Sequence, residues 1–221
     1  MKLLFNALLK FLVGFLFVGT LVFLPAGTLA YIDGWVFIAV LFIPIFIMGI
    51  VLLCKAPELL KKRLDSREKE KTQKGVVAFS GLVFLASFVV SGLDYNFGWS
   101  SIPKVVKIIS ALVFIAFYGI YAEVMRENAY LSRVIKVQEN QTVVSTGLYG
   151  IVRHPMYAAT IFMFLCIPLI LGSLISFFIM LAYPMIIVVR IINEEKVLTE
   201  QLEGYKEYKQ KVKYRIIPLV W

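Results

Sequence analysis

The sequence predicts an all-α integral membrane protein of about six transmembrane helices, closing with a C-terminal helical hairpin and an amphipathic tail helix. Two observations carry that prediction. Hydrophobic residues make up 60% of the 221-residue chain and charged residues only 17%, with a mean hydropathy of +0.85, and a soluble domain of this size has too little interior to hide so much apolar surface. The apolar residues also come in runs of the right length. Residues 35–54 carry no formal charge, and a helix rising about 1.5 Å per residue crosses a hydrocarbon core about 30 Å thick in such a run.

The first run, 3–24, follows Lys2. It has the outline of a signal peptide, with Thr28-Leu29-Ala30 as a small-residue site, but its apolar stretch reaches Ala26 and exceeds an h-region of about 7–15 residues, so retention as a first helix is expected. The second run is 35–54, and the segment 55–75 behind it carries eight basic residues: Lys55, Lys61, Lys62, Arg63, Arg67, Lys69, Lys71 and Lys74. The third run is 76–93. The segments 25–34 and 94–103 carry no Lys or Arg, so the positive-inside rule puts 55–75 in the cytoplasm and these two outside.

The fourth run, 104–122, leads into a basic segment, 123–155, with Arg126, Arg133, Lys136 and Arg153. The fifth and sixth, 156–171 and 173–192, are joined by little more than Leu171-Gly172-Ser173, which predicts a tight antiparallel hairpin whose inner ends meet. The tail, 193–221, is basic again through Lys196, Lys206, Lys209, Lys211, Lys213 and Arg215. Within it Leu198, Leu202, Tyr205, Tyr208 and Val212 follow helical spacing, expected to be a packing stripe on a helix that lies on the membrane or caps a cavity.

An even number of spans returns both termini and every basic segment to the cytoplasmic side. The formal charge of +9 is then a signature of membrane topology and not of nucleic-acid binding. Cys54 and Cys166 sit in or beside apolar runs without a CxxC or a histidine pair, so they read as structural thiols with neither disulfide nor metal site. The chain divides into 1–127, four helices with the basic loop 55–75, and 128–221, which holds the hairpin 156–192 and the tail.

Polar residues beside membrane spans are costly and mark functional sites, and here they concentrate in the second part. The first cluster is Gly147-Leu148-Tyr149-Gly150-Ile151-Val152-Arg153-His154-Pro155-Met156-Tyr157. Proline needs no N–H in the first turn, so Pro155 is expected to open the fifth span with His154 at its cap. The free N–H groups that follow, with Arg153 and the chain's single histidine, form a candidate anion site. Alternatively Arg153 is a membrane anchor, His154 a cap and the tyrosines part of an aromatic belt. The second cluster, Arg190-Ile191-Ile192-Asn193-Glu194-Glu195, returns to the same level through the hairpin. Arg190 and Glu194 share a helix face and can neutralise each other.

Together these residues resemble the isoprenylcysteine carboxyl methyltransferase family and its prokaryotic relatives, within the wider group of membrane phospholipid methyltransferases. The likeness runs through Gly147-Leu148-Tyr149, Arg153-His154-Pro155-Met156-Tyr157, Arg190 with Glu194-Glu195, Gly204-Tyr205-x-x-Tyr208 and Tyr214-Arg215-Ile216-Ile217-Pro218, with a weaker echo at Pro57-Glu58-Leu59-Leu60. It covers Asn128 to Trp221. The resemblance implies S-adenosylmethionine as cofactor, held on the cytoplasmic side by the C-terminal elements, and a lipophilic methyl acceptor entering from the bilayer among membrane lipids.

On that reading Tyr149, Arg153, His154, Pro155, Tyr157, Glu194 and Glu195 are the candidate cofactor-binding residues, and Arg190 and Glu194 the candidate catalytic ones. His154 and the N–H groups after Pro155 suit a carboxylate, Tyr149 and Tyr157 a sulfonium, and Glu194 or Glu195 ribose hydroxyls or an amino group. Asn128, Gln138 and Gln141 are either further cofactor contacts or surface polarity. Arg190 can orient a carboxylate acceptor as a bidentate partner, the favoured case. With an amine, Glu194 becomes the base, and a thiol also stays open.

Two other classes compete. A membrane reductase of the steroid reductase type carries a His-Pro-x-Tyr element but would be expected to have Asn after the proline and Gly-Glu after the tyrosine, where this chain has Met156 and Ala158-Ala159. A non-catalytic protein or transporter would more often repeat itself internally.

Overall fold

The computed structural model describes residues 2–65, 71–131 and 137–221. Arg67, Lys69, Arg133 and Lys136 of the expected cytoplasmic segments lie outside the described residues, as does the side chain of Lys71. In chain order the helices are α1 Lys2–Ala26, α2 Ile32–Lys55, α3 Pro57–Leu64, α4 Lys71–Phe97, α5 Lys104–Glu127, α6 Pro155–Ile170, α7 Leu174–Met180, α8 Ala182–Gln201 and α9 Tyr205–Lys211, with a short 3₁₀ turn at Gly147–Gly150 before α6. No strand occurs among the described residues.

Among the described residues five stretches are long and apolar enough to cross a bilayer: α1, α2, Gln73–Phe97 of α4, α5, and Leu174–Gln201, which takes in α7 and α8. Their outward faces carry large apolar side chains such as Phe5, Phe17, Leu24, Leu112 and Met185, a pattern that only a hydrocarbon solvent favours. The chain is an integral membrane protein. The fifth expected span is the one that differs. It is α6, 16 residues long and so about 24 Å, shorter than the hydrocarbon core.

Both ends of α6 are written into the sequence. Pro155 occupies the first turn with His154 as N-cap, as expected. At the other end Gly172 takes φ +80°, its N–H bonds to Leu169 O at 3.2 Å, and the Ser173 N–H bonds to Pro168 O at 2.9 Å. These are the paired bonds of a Schellman turn, which needs a left-handed residue at that position. The expected hairpin is therefore present, but its second arm is interrupted at Leu181 between α7 and α8. Pro184, lacking an N–H and crowding the carbonyl of Met180 four residues back, explains the break.

Two further differences concern short helices. The basic loop contains α3, whose Leu59 and Leu60 are buried against Val124, Met125, Leu131 and Tyr149. The tail is not one continuous helix, for α8 ends at Gln201 and α9 begins after Gly204. The expected stripe nevertheless converges, with Leu202, Tyr205, Tyr208 and Val212 forming a buried cluster against which Leu198 packs.

α5 lies along α6 as the most extensive helix pair, and α1 packs on α4. At one end of the bundle Asp94, 2% exposed, accepts from the Ser100 N–H at 2.7 Å and from the hydroxyls of Ser100 and Ser173. This satisfied carboxylate ties the end of α4 to the α6–α7 turn. Buried polar groups hold only when so paired. The functional site lies at the opposite end of α6.

Candidate functional site

The site begins with a glycine. Gly147 has φ +55°, and a Cβ there would fall 1.7 Å from Glu127 Oε1. Glycine thus lets the carboxylate of Glu127, at the end of α5, accept from the Leu148 N–H at 3.0 and 3.2 Å. That pins the 3₁₀ turn and its Tyr149. The Tyr149 hydroxyl accepts from Asn128 Nδ2 at 3.0 Å, and its carbonyl accepts from the Tyr208 hydroxyl of α9 at 2.7 Å.

The chain then turns into α6, and here the C-terminal tail joins it. The N–H groups of Arg153 and His154 donate to the carbonyls of Tyr214 and Arg215 at 2.9 and 2.8 Å. Glu195 lies beneath this junction, 3% exposed. Its Oε1 accepts from Arg153 Nε at 2.6 Å and lies 3.3 Å from His154 Nε2, and its Oε2 accepts from Arg215 Nε at 3.0 Å. Arg153 spends another nitrogen, Nη1, on the carbonyls of Val212 and Lys213 at 2.7 and 2.8 Å. Glu195 is thus the centre of a buried ionic knot joining α6, α8 and the tail. Such a knot is stable only while every member is present.

One turn of α6 further on, the Tyr157 hydroxyl donates to Glu194 Oε2 at 2.6 Å and accepts from Arg190 Nε at 2.8 Å. The Arg190 guanidinium also lies 5.9 Å from the Tyr157 ring centre. Neighbouring carboxylates in sequence thus have different environments: Glu195 turns into the protein and Glu194 into a cleft. Successive residues on a helix point about 100° apart, which is the physical reason.

The cleft encloses about 840 Å³ of space, its open mouth included. Of the expected residues Tyr149, Arg153, His154, Tyr157 and Glu194 line it, together with Asn128 and Gln141. Pro155, Arg190 and Glu195 do not. Pro155 starts α6, Arg190 donates to Tyr157 of the lining, and Glu195 lies behind the lining with its oxygens on Arg153 and Arg215. Gln138 is outside the lining too, its side-chain amide donating to the Tyr130 carbonyl.

Several lining residues were not singled out from sequence: Tyr130, Thr142 and Val143 in the loop before the 3₁₀ turn, and Tyr205 and Tyr208 of α9. The two α9 tyrosines stood in the packing stripe, and the Gly204-Tyr205-x-x-Tyr208 motif was the signal available. Burial lifts the phenols of Tyr149, Tyr205 and Tyr208 above the ordinary tyrosine range, with the carboxylates of Glu195 and Glu194 adding to it at Tyr205. All three stay protonated at neutral pH. The buried Tyr205 hydroxyl has no hydrogen-bond partner among the described residues.

The site is thus a polar, tyrosine-lined cleft at one end of an all-α membrane bundle, with Glu194 and His154 in its lining. The family model described as phospholipid methyltransferase matches residues 105–204, from α5 through the cleft to the edge of α9. The match supports a membrane methyltransferase of the phospholipid methyltransferase group, the wider group to which the motifs were likened. No curated protein matches the chain.

Proposed function

We propose that the protein transfers a methyl group from S-adenosylmethionine to a lipophilic acceptor arriving from the bilayer, with a carboxylate acceptor favoured and an amine or thiol open. The observation that carries this reading is the cleft in which Glu194, His154, Asn128 and Gln141 stand among the rings of Tyr149, Tyr157 and Tyr205. That donor set matches a ligand bearing a carboxylate, an ammonium, a diol and a flat base. The unpartnered Tyr205 hydroxyl supports it, since a buried polar group without a partner costs about 1–3 kcal/mol and a ligand can supply one.

S-adenosylmethionine, when bound, supplies an electrophilic methyl group on a sulfonium. What remains for the protein is alignment and exclusion of water. Tyr157 holds Glu194 by one oxygen, and the other, Oε1, carries no hydrogen bond among the described residues. It is the atom for a ligand hydroxyl or ammonium, or for the proton of an amine acceptor. Arg190, which donates to the Tyr157 hydroxyl, is the cationic side chain suited to orient a carboxylate acceptor.

The basic residues of α3 and the tail favour a cytoplasmic cleft with both termini on that side. Tags at Met1 and Trp221 on opposite faces would refute this orientation. The test of the activity is calorimetric titration of the detergent-purified protein with S-adenosylhomocysteine, with NADPH and NADP⁺ in parallel. Saturable binding of the homocysteine nucleoside alone is expected. Binding of the nicotinamide cofactor alone would replace this reading with a reductase, and a folded protein that binds neither would replace it with a non-catalytic one.

A further inference from the structure

α3 is short and basic, and its last turn brings Arg63 inward. The guanidinium, half-buried, donates through Nη2 to the Tyr121 hydroxyl, lies 5.5 Å from that ring's centre, and points Nη1 at Met156 Sδ, 3.8 Å away. Each of these partners is neutral. Arg126, Arg153 and Arg215 each meet a carboxylate, whereas Arg63 forms no ion pair among the described residues. A partly desolvated cation without a counter-charge is costly.

The surroundings indicate what would compensate it. Leu64, Tyr121 and Met156 pack in one apolar cluster with the buried Leu59, Leu60 and Tyr149. Met156 also lines the cleft, and the next residue, Tyr157, holds Arg190 and Glu194. Arg63 therefore sits behind Met156 of the lining, against Tyr121 of α5. A guanidinium fork matches a carboxylate or phosphate bidentately, which a point charge does not.

We propose that Arg63 is a specificity-determining residue, the anchor for an anionic group, carboxylate or phosphate, on the methyl acceptor. The assignment rests on the methyltransferase reading and adds to it a residue that specifies the substrate class. Arg63 binds the anion, the apolar cluster takes the adjoining hydrocarbon, and Tyr121 fixes the guanidinium plane.

The test uses the full chain in dodecyl maltoside, titrated calorimetrically with oleate, oleyl phosphate and oleyl alcohol, with S-adenosylhomocysteine titrated into the same preparations. Wild type should bind oleate, oleyl phosphate or both more tightly than the alcohol, and the better anion tells carboxylate from phosphate. Arg63→Gln should weaken that anion roughly tenfold or more, Arg63→Lys should fall between, and alcohol binding should not change. Lys61→Gln, which removes one charge from an exposed position of the same helix, should bind as wild type. Equal losses in Lys61→Gln and Arg63→Gln, an indifferent Arg63→Gln, or no preference for the anions would overturn the proposal. Unchanged S-adenosylhomocysteine affinity in the Arg63 variants certifies their fold. Failure of the wild type to bind that nucleoside removes the methyltransferase reading and this proposal with it, whereas nucleoside binding with an indifferent Arg63→Gln removes this proposal alone.

Discussion

Arg153 and Glu195 stand 42 positions apart in the chain, yet form a buried ion pair at 2.6 Å, their side chains 5% and 3% exposed. The pair joins the segment before α6 to α8, and Arg215 brings the tail onto the same carboxylate. Removing one partner strands the other charge. Glu195→Ala and Arg153→Ala should each destabilise the protein by about 3–5 kcal/mol, and the double variant should lose less than the sum of the two. Thermal unfolding in detergent measures this, and strict additivity would show that the two residues act separately.

Glu194 and Tyr157 call for a different readout. Glu194→Ala and His154→Ala should each weaken S-adenosylhomocysteine binding roughly tenfold, the loss expected of a hydrogen bond to a charged group. Arg190→Ala should leave that affinity nearly intact and lower turnover with the acceptor. Wild-type affinity in both Glu194→Ala and His154→Ala would remove the proposed pocket.

Tyr205→Phe separates binding from stability. It deletes a buried hydroxyl that has no partner among the described residues, so the ligand-free protein should gain about 1–3 kcal/mol while nucleoside affinity falls. A variant that loses stability as well would mean that the hydroxyl already has a partner in the ligand-free state.

At Gly147 the side chain itself is the obstacle, since an added Cβ would meet Glu127 Oε1 at 1.7 Å on a backbone with φ +55°. Gly147→Ala should therefore loosen the 3₁₀ turn, displace Tyr149 and abolish nucleoside binding, without unfolding the transmembrane bundle. Near-ultraviolet circular dichroism would register the tyrosine change, and unaltered binding would count against the turn's role.

The buried phenols of Tyr149, Tyr205 and Tyr208 titrate above their ordinary range because burial disfavours the phenolate. In the unfolded chain they ionise near about pH 10. Above that pH the folded protein holds more protons than the unfolded one, so stability is fully present below about pH 10 and declines as pH rises further. Tyr208→Phe should start lower, losing its bond to the Tyr149 carbonyl, but decline less steeply. Parallel alkaline limbs for the two proteins would contradict this.

Much of the bundle was legible because hydrophobic run length is a one-dimensional property. The runs 3–24, 35–54, 76–93 and 104–122 correspond to α1, α2, α4 and α5, with ends extended where polar residues continue the helix. Pro155 and Gly172 marked the limits of α6 through their own backbone chemistry. The helix α3 escaped notice because eight residues, four of them charged, leave no hydropathy signal, although Pro57 at its first turn was a start signal. The break at Leu181 was foreshadowed by Pro184, but proline alone does not dictate whether a membrane helix bends or stops.

By itself, then, the sequence determined a membrane bundle, a hairpin that returns Arg190 and Glu194 to the level of His154, and a set of side chains capable of binding a charged ligand. Only the tertiary structure decided which of two adjacent glutamates faces the cleft. Glu194 faces the cleft and Glu195 is taken by Arg153, His154 and Arg215. It also brought Tyr130 and Thr142 from the loop, Tyr205 and Tyr208 from α9, and Arg63 from α3 to the start of α6. Local pattern fixes where a helix runs and which face is apolar, but the partner of a charge is set by whichever distant segment packs against it, and that depends on the whole chain closing together.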